Sequence, residues 1–240
     1  MKNALIALIA LTALLVVSCK EETEKPKVIY EETRTSKNQG KRADSTEIKV
    51  ADLPVLMEGT KYLIYPVGDI RIYEDSNRSY GSSRTNSSVS YAISNYNRFE
   101  ITGYFENLRF QHVDSTSLSR LTDNKIQIQT ATYLNTLAAK KQLLIYTLVD
   151  ADTNKDGKLD ANDIKALYIS GINGKGFSKL SQDMQELIDW NIIEVQNRLY
   201  FRTIEDINKN GAFDKNDSVH YHYVDLLAAE YKAIAYNPVE

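Results

Sequence analysis

Two twelve-residue stretches carry one pattern 54 residues apart: D-T-N-K-D-G-K-L-D-A-N-D from Asp152 to Asp163, and D-I-N-K-N-G-A-F-D-K-N-D from Asp206 to Asp217. Gly157 and Gly211 take the sixth position of each, where the chain turns so sharply that a Cβ would obstruct it. Oxygen-bearing side chains stand at positions 1, 3, 5, 9 and 12 of both. Any fold for this chain has to accommodate two long, acidic, tightly wound turns.

Calcium is a hard cation that takes six to eight oxygens, and a loop of this length supplies them from positions 1, 3, 5, 7, 9 and 12. In the first stretch these are Asp152, Asn154, Asp156, the carbonyl of Lys158, Asp160 and Asp163. In the second they are Asp206, Asn208, Asn210, the carbonyl of Ala212, Asp214 and Asp217. Leu159 and Phe213 fall at position 8, the apolar residue that packs such a loop against its neighbour. Both stretches resemble the calcium loop of the EF-hand family, which implies calcium as cofactor at two sites. They depart from the family at position 12, where Asp163 and Asp217 stand in place of a bidentate Glu. A shorter side chain reaches the ion with one oxygen or through water, so weaker binding is expected. Four carboxylates in the first loop against three in the second make the first the tighter site. The alternative is a pair of Asn/Asp/Gly turns without an ion, which would need neither the apolar residue 8 nor the carboxylate at 12. If calcium binds, its expected role is a constitutive staple across a long turn.

Residues 1–18 read as a secretory signal: Lys2, then the apolar run Ala4 to Val17. Fourteen residues suit a signal-peptide core and are too few to span a bilayer. The run ends in Val16-Val17-Ser18-Cys19, which resembles the bacterial lipobox and implies a lipid on Cys19. Cys19 is the only cysteine, so no intramolecular disulfide is available. Acyl chains anchor without spanning. Lys20-Glu21-Glu22 follows and is similar to the surface-export signal of Bacteroidota lipoproteins. An outer-membrane lipoprotein facing outward is the expectation, with the periplasmic face of that membrane as the alternative.

Residues 19–50 form a polar stretch expected to be a disordered tether, and 51–240 are expected to form one β-rich repeat domain. The formal charge of −3 becomes −4 once Lys2 is removed, which argues against a nucleic-acid partner. The Ser/Asn-rich segment 76–90 reads as a long loop. Short β-branched and aromatic runs predict strands at Lys61–Tyr65, Val89–Asn95, Leu108–Val113, Ile126–Tyr133, Leu143–Val149 and Val219–Val224. Strict alternation in the last puts His220 and His222 on one face. Helical signal is sparse, with Gln182–Asp189 the place for a turn or two.

An internal repeat runs through this region. At an offset of 54 the two loops align together with Tyr146/Tyr200, Phe177/Tyr231 and Leu180/Ile234. At an offset of 59, Leu108–Thr122 aligns with Leu167–Ser181. The unit is strand, tight turn and short strand, with landmarks Leu180-Ser181 and Asp189-Trp190. Over residues 105–236 it resembles the blades of TolB-like, WD40-type β-propellers. That resemblance implies an all-β protein of antiparallel, propeller-like blades, with the calcium loops inserted as strand connections. About 190 residues at 54 per unit give three to four blades, open or closed, and the alternative is an orthogonal sandwich. Dockerin modules also carry Asp at position 12, but their loops lie closer together and lead into helices. Unclosed sheets leave edges to cover, so self-association is a further expectation.

His-x-His at 220 and 222 would offer two zinc ligands on one strand face, yet no third ligand lies near in sequence; two surface-facing residues are the simpler reading. No phosphate loop, nucleophile elbow or HExxH occurs. Glu100, Glu106, Asp114 and Glu194 are scattered, without the spacing of an acid/base pair. The leading expectation is therefore a non-catalytic, calcium-stabilised, lipid-anchored binding module of the cell envelope, with a protein or a glycan as its ligand. Tyrosine-rich faces give it rigid contact area. A periplasmic envelope scaffold of TolB-like type and a glycan-acting enzyme are the alternatives.

Overall fold

A computed structural model describes residues 27–30, 48–70, 72–73, 88–89, 92–135 and 141–239. Cys19, the expected signal sequence 1–18 and most of the 76–90 segment lie outside the described residues. In chain order the strands begin with β1 (Lys49–Ala51), β2 (Val55–Leu56), β3 (Tyr62–Asp69), β4 (Ile72–Tyr73) and β5 (Ser88–Val89). Next come β6 (Ser94–Tyr96), β7 (Glu100–Phe105), β8 (Asn107–His112), β9 (Ser119–Arg120), β10 (Gln127–Leu134) and β11 (Leu143–Val149). The last are β12 (Lys165–Gly171), β13 (Ser178–Lys179), β14 (Gln185–Ile193), β15 (Arg198–Glu205), β16 (Ser218–Asp225) and β17 (Ile234–Tyr236). Every ladder is antiparallel, and among the described residues the only helical element is a single 3₁₀ turn at Glu194–Gln196. The protein is all-β and antiparallel.

Three sheets carry the fold. The first has the order β1-β3-β8-β9, with β2 also on β3; the second is β13-β12-β11-β10-β7-β6; the third is β14-β15-β16-β17. None of these orders closes on itself. A small pair, β4-β5, stands apart. Each large sheet repeats one path: a long strand, a long connection, a return strand, then a strand of two or three residues on the outer edge. The paths are β3-β8-β9, β11-β12-β13 and β15-β16-β17. The offset of 59 seen in the sequence holds at the level of register. Arg109↔Arg120 and Phe110↔Ser119 in the first sheet match Tyr168↔Lys179 and Ile169↔Ser178 in the second.

The second sheet lies between two cores, and β11 is its axis. Leu144, Tyr146 and Leu148 join Ile64, Leu108 and Phe110 of the first sheet in one cluster. Leu143 and Ile145 join Leu199, Phe201 and Val224 of the third in the other. The apolar run L-L-I-Y-T-L-V is what a strand needs when both faces are covered, and each such side chain buried contributes about 1.5–3 kcal/mol. Tyr146 is fully buried, and its hydroxyl is satisfied by Ser170 Oγ at 2.7 Å. Burial pushes that phenol far above its ordinary pKa.

Two expectations are corrected. Gln182–Asp189 forms no helical turn; its second half opens β14, which pairs with β15 over its whole length. Cross-strand partners decide this, because the buried Gln185 accepts a hydrogen bond from Thr203 Oγ1 at 2.6 Å and buried Glu186 meets two lysines. The expected strand Val89–Asn95 is divided between β5 and β6, which belong to different sheets; residues 90–91 lie outside the described residues.

Gly174, in the turn after β12, has φ +77°, and a Cβ there would come within 2.5 Å of the Phe110 ring in the first sheet. Gly176 shares the left-handed backbone (φ +69°) with no atom within 4 Å of such a Cβ. Gly176→Ala should therefore cost the backbone strain alone, about 1–3 kcal/mol, and Gly174→Ala clearly more. Urea unfolding of both variants measures the difference.

Candidate metal centres

The two acidic loops are hairpin connections: 152–163 joins β11 to β12, and 206–217 joins β15 to β16. Neither is entered or left through a helix. Most of their internal hydrogen bonds correspond position for position. Asp152 accepts from the amides of Asp156 (3.1 Å) and Gly157 (2.7 Å), as Asp206 does from Asn210 (3.2 Å) and Gly211 (2.7 Å). Asn154 accepts from Asp156 N at 2.9 Å, and Asn208 from Asn210 N at 2.9 Å. Position 5 accepts from the amide of position 7 at 2.8 Å in both, through Asp156 and through Asn210. Asp163 Oδ2 accepts from Asp160 N at 3.0 Å and Asp217 Oδ2 from Asp214 N at 2.8 Å. Positions 4 and 6 are left-handed in both loops: Lys155 (φ 55°) and Gly157 (83°), Lys209 (58°) and Gly211 (85°).

The candidate ligand oxygens thus face inward and are held by backbone N–H groups, the way a turn built from Asp and Asn satisfies itself. Among the described residues, no three His, Cys, Asp or Glu side chains converge on one point as a closed metal cage. The donor set fits a hard cation all the same: every candidate is an oxygen, and the left-handed residues let the backbone wrap around the side chains. The burial of the ligands differs. Asp163 is 0% exposed and also accepts the amides of Thr153 (2.7 Å) and Asn154 (3.2 Å). Asp206 is 3% exposed.

A feature absent from the sequence reading joins the loops. Residues 27–30 lie within the stretch 19–50 expected to be a disordered tether, yet they are docked across both loops. Lys27 and Val28 donate their amides to the Gly211 carbonyl at 2.7 and 3.2 Å, and Ile29 donates to the Thr153 carbonyl at 3.0 Å. Lys27 Nζ meets Glu186 Oε1 at 3.0 Å. Tyr30 stands beside Asp206; burial and then that carboxylate push its phenol up to about 12. The available signal was three consecutive apolar residues, Val28-Ile29-Tyr30, inside a polar tract.

The histidines form no common site. His112 sits on β8, edge-on to Tyr62. His220 and His222 share a face of β16, with ring centroids 6.4 Å apart. His220 Nε2 is 2.8 Å from Glu205 Oε2, while His222 is buried, stacks on Phe201, and has no partner at Nδ1. Burial, then the neighbouring His220, hold His222 below its ordinary pKa. The scattered carboxylates have separate contacts: Glu100 with Thr132, Glu106 with Lys49, Asp114 with His112.

Beside the first loop opens a cleft of about 1250 Å³, bounded by the first sheet, β7, β10 and residues 150–162. Its wall is polar and of mixed charge: Arg109, Arg120 and Lys125 stand among Glu106, Asp123 and Asp150, with Tyr104 41% exposed at its side. Asp152 and Asp160 of the first loop line it directly. No protein-family model matches the chain, and no curated protein matches its sequence.

Asp163→Ala would strand three backbone amides in a buried place and should cost about 2–3 kcal/mol. Asp217→Ala, at a half-buried position that accepts fewer amides, should cost less; urea unfolding in chelator compares them without any ion. For His222 the pKa is depressed on folding, so its contribution is present above the unfolded value near 6.5 and is lost as pH falls below it. Melting temperature should therefore drop more steeply between pH 7.5 and 5 in the wild type than in His222→Phe.

Proposed function

We propose that this protein is a calcium-stabilised, non-catalytic binding module, tethered to the outer membrane through a lipid on Cys19, and that the cleft beside the first loop receives its ligand, a protein or a glycan. The observation that carries the reading is the pair of hairpin loops, whose amide-to-side-chain hydrogen bonds largely repeat. Turns that merely reverse a chain have no reason to share six amide-to-side-chain hydrogen bonds together with left-handed backbone at positions 4 and 6. Asp152, Asn154, Asp156, Asp160 and Asp163 with the Lys158 carbonyl would hold one ion. Asp206, Asn208, Asn210, Asp214 and Asp217 with the Ala212 carbonyl would hold the other. Bound calcium supplies positive charge that relieves the repulsion among these carboxylates. The rest is done by the chain: the strands fix the loop ends, and the left-handed residues aim the oxygens.

The three repeated strand paths support three propeller-like blades in an open arrangement, the smallest number implied by the repeat length. The cleft suits an extended polar ligand. Its arginines, amides and carboxylates are planar groups that bind two adjacent hydroxyls or carbonyls at once, and Tyr104 offers a ring face. Lys20-Glu21-Glu22 supports the outward face of the membrane.

Calcium at one hundred times its dissociation constant stabilises by about 2.7 kcal/mol per site. Chelator should therefore lower the melting temperature by roughly ten to twenty degrees for two sites in a domain of this size. Equal melts with and without chelator would refute the staple. Retention on a polysaccharide or protein bait that disappears in Arg109→Ala, at an unchanged melting temperature, would assign the ligand to the cleft.

A further inference from the structure

In each loop, the residue that holds the segment Lys27–Tyr30 is itself held by a candidate metal ligand. Gly211 accepts the amides of Lys27 and Val28 through its carbonyl, while its own N–H is bound by Asp206 Oδ2 at 2.7 Å. Thr153 accepts the Ile29 amide through its carbonyl and donates its hydroxyl to the Lys27 carbonyl at 2.8 Å. Its own N–H is bound by Asp163 Oδ1 at 2.7 Å. The Tyr30 phenol stands beside Asp206. Val28, 2% exposed, is enclosed between these contacts. Asp206 and Asp163 are the most buried of the candidate ligands and stand at opposite ends of their loops, positions 1 and 12. The segment thus rests on the one carboxylate of each loop that is least free to move.

We infer that the two loops together form a docking surface for the chain's own segment Lys27–Tyr30, and that calcium in the loops controls whether the segment is docked. The inference rests on the calcium reading above. Without a cation, four carboxylates in one turn and three in the other repel one another, which works against the arrangement that aims Gly211 and Thr153 at the segment. With a cation, Asp206 and Asp163 are fixed, and so are the peptide groups bound to them. Linkage makes the effect mutual: if calcium favours docking by some factor, docking raises calcium affinity by the same factor. The consequence is mechanical. With Cys19 anchored and the segment docked, residues 20–26 can span at most about 25 Å; with the segment released, residues 20–47 can span about 100 Å. Calcium would set how far the binding cleft reaches from its membrane.

Hydrogen exchange of the full chain, in calcium and in chelator, tests this, with calcium binding followed by titration calorimetry on the same samples. The amides of Lys27, Val28 and Ile29 should exchange at least about tenfold more slowly in calcium, while those of β11 and β15 stay unchanged and report the intact fold. Val28→Asp should remove that protection and weaken calcium binding by about tenfold, within the usual range of coupling between sites, at an unchanged stoichiometry of two. If that variant loses β11 protection, the wild-type comparison decides alone. Two bound calcium ions with identical exchange at 27–29 in both conditions would overturn the latch and leave the calcium reading standing. No calcium bound at all would overturn both.

Discussion

β11 is buried on both faces, and the rest of the molecule is arranged to keep it so. A strand without a polar side cannot lie at a surface, and seven consecutive residues of this kind require a layer above and a layer below. The first sheet covers Leu144, Tyr146 and Leu148, and the third covers Leu143 and Ile145. Strands on either side then have to be two-faced too, and Leu167 with Ile169 on β12 continues the second core. The Tyr146 hydroxyl, fully buried on this strand, is paired with the equally buried Ser170 on the neighbouring strand, so neither is left unsatisfied.

From such a strand the chain has to leave into water quickly, and it does so through the first acidic loop. Val149 is buried and Ala151 exposed, a change completed in two residues. The loop compensates for lost ladder bonds with side-chain acceptors: Asp152, Asn154, Asp156, Asp160 and Asp163 together take up the amides that no strand partner could reach. The same residues that make the turn self-sufficient also collect oxygens at the spacing of a cation loop. One pattern therefore answers two needs, which is why the second loop repeats it at the same place in the next sheet.

How much of this could be read in the sequence depended on the range of the interaction. β11 matches its expected bounds, because a continuous apolar run bounded by turns is a local signal. The offset of 59 anticipated real cross-strand pairs, since a repeated unit carries its own pairing with it. The acidic loops were legible as tight turns, since most of their hydrogen bonds span two to five residues and the longest ten. β14 was not: Gln185 and Glu186 look exposed until Thr203, Lys27 and Lys165 are brought up from elsewhere. β7 was missed for a similar reason, for it runs beside β10, which lies some 30 residues further along the chain. The docking of 27–30 was the least visible. Its partners lie more than 120 residues away, and its surroundings in sequence are those of a solvated tether.

Neither core cluster contains a residue of the acidic loops or of the segment 27–30. The sheets are therefore packed on apolar cores to which the loops do not contribute. A cation bound at the periphery of such a fold has its first effect on what touches the loops and nothing else. Two things do: the N-terminal segment, gripped through Gly211 and Thr153, and the wall of the cleft that Asp152 and Asp160 line. Segment 27–30 and cleft thus share the first loop as a common boundary. A disturbance of that loop would reach both while leaving β11, which shares no core contact with it, in place.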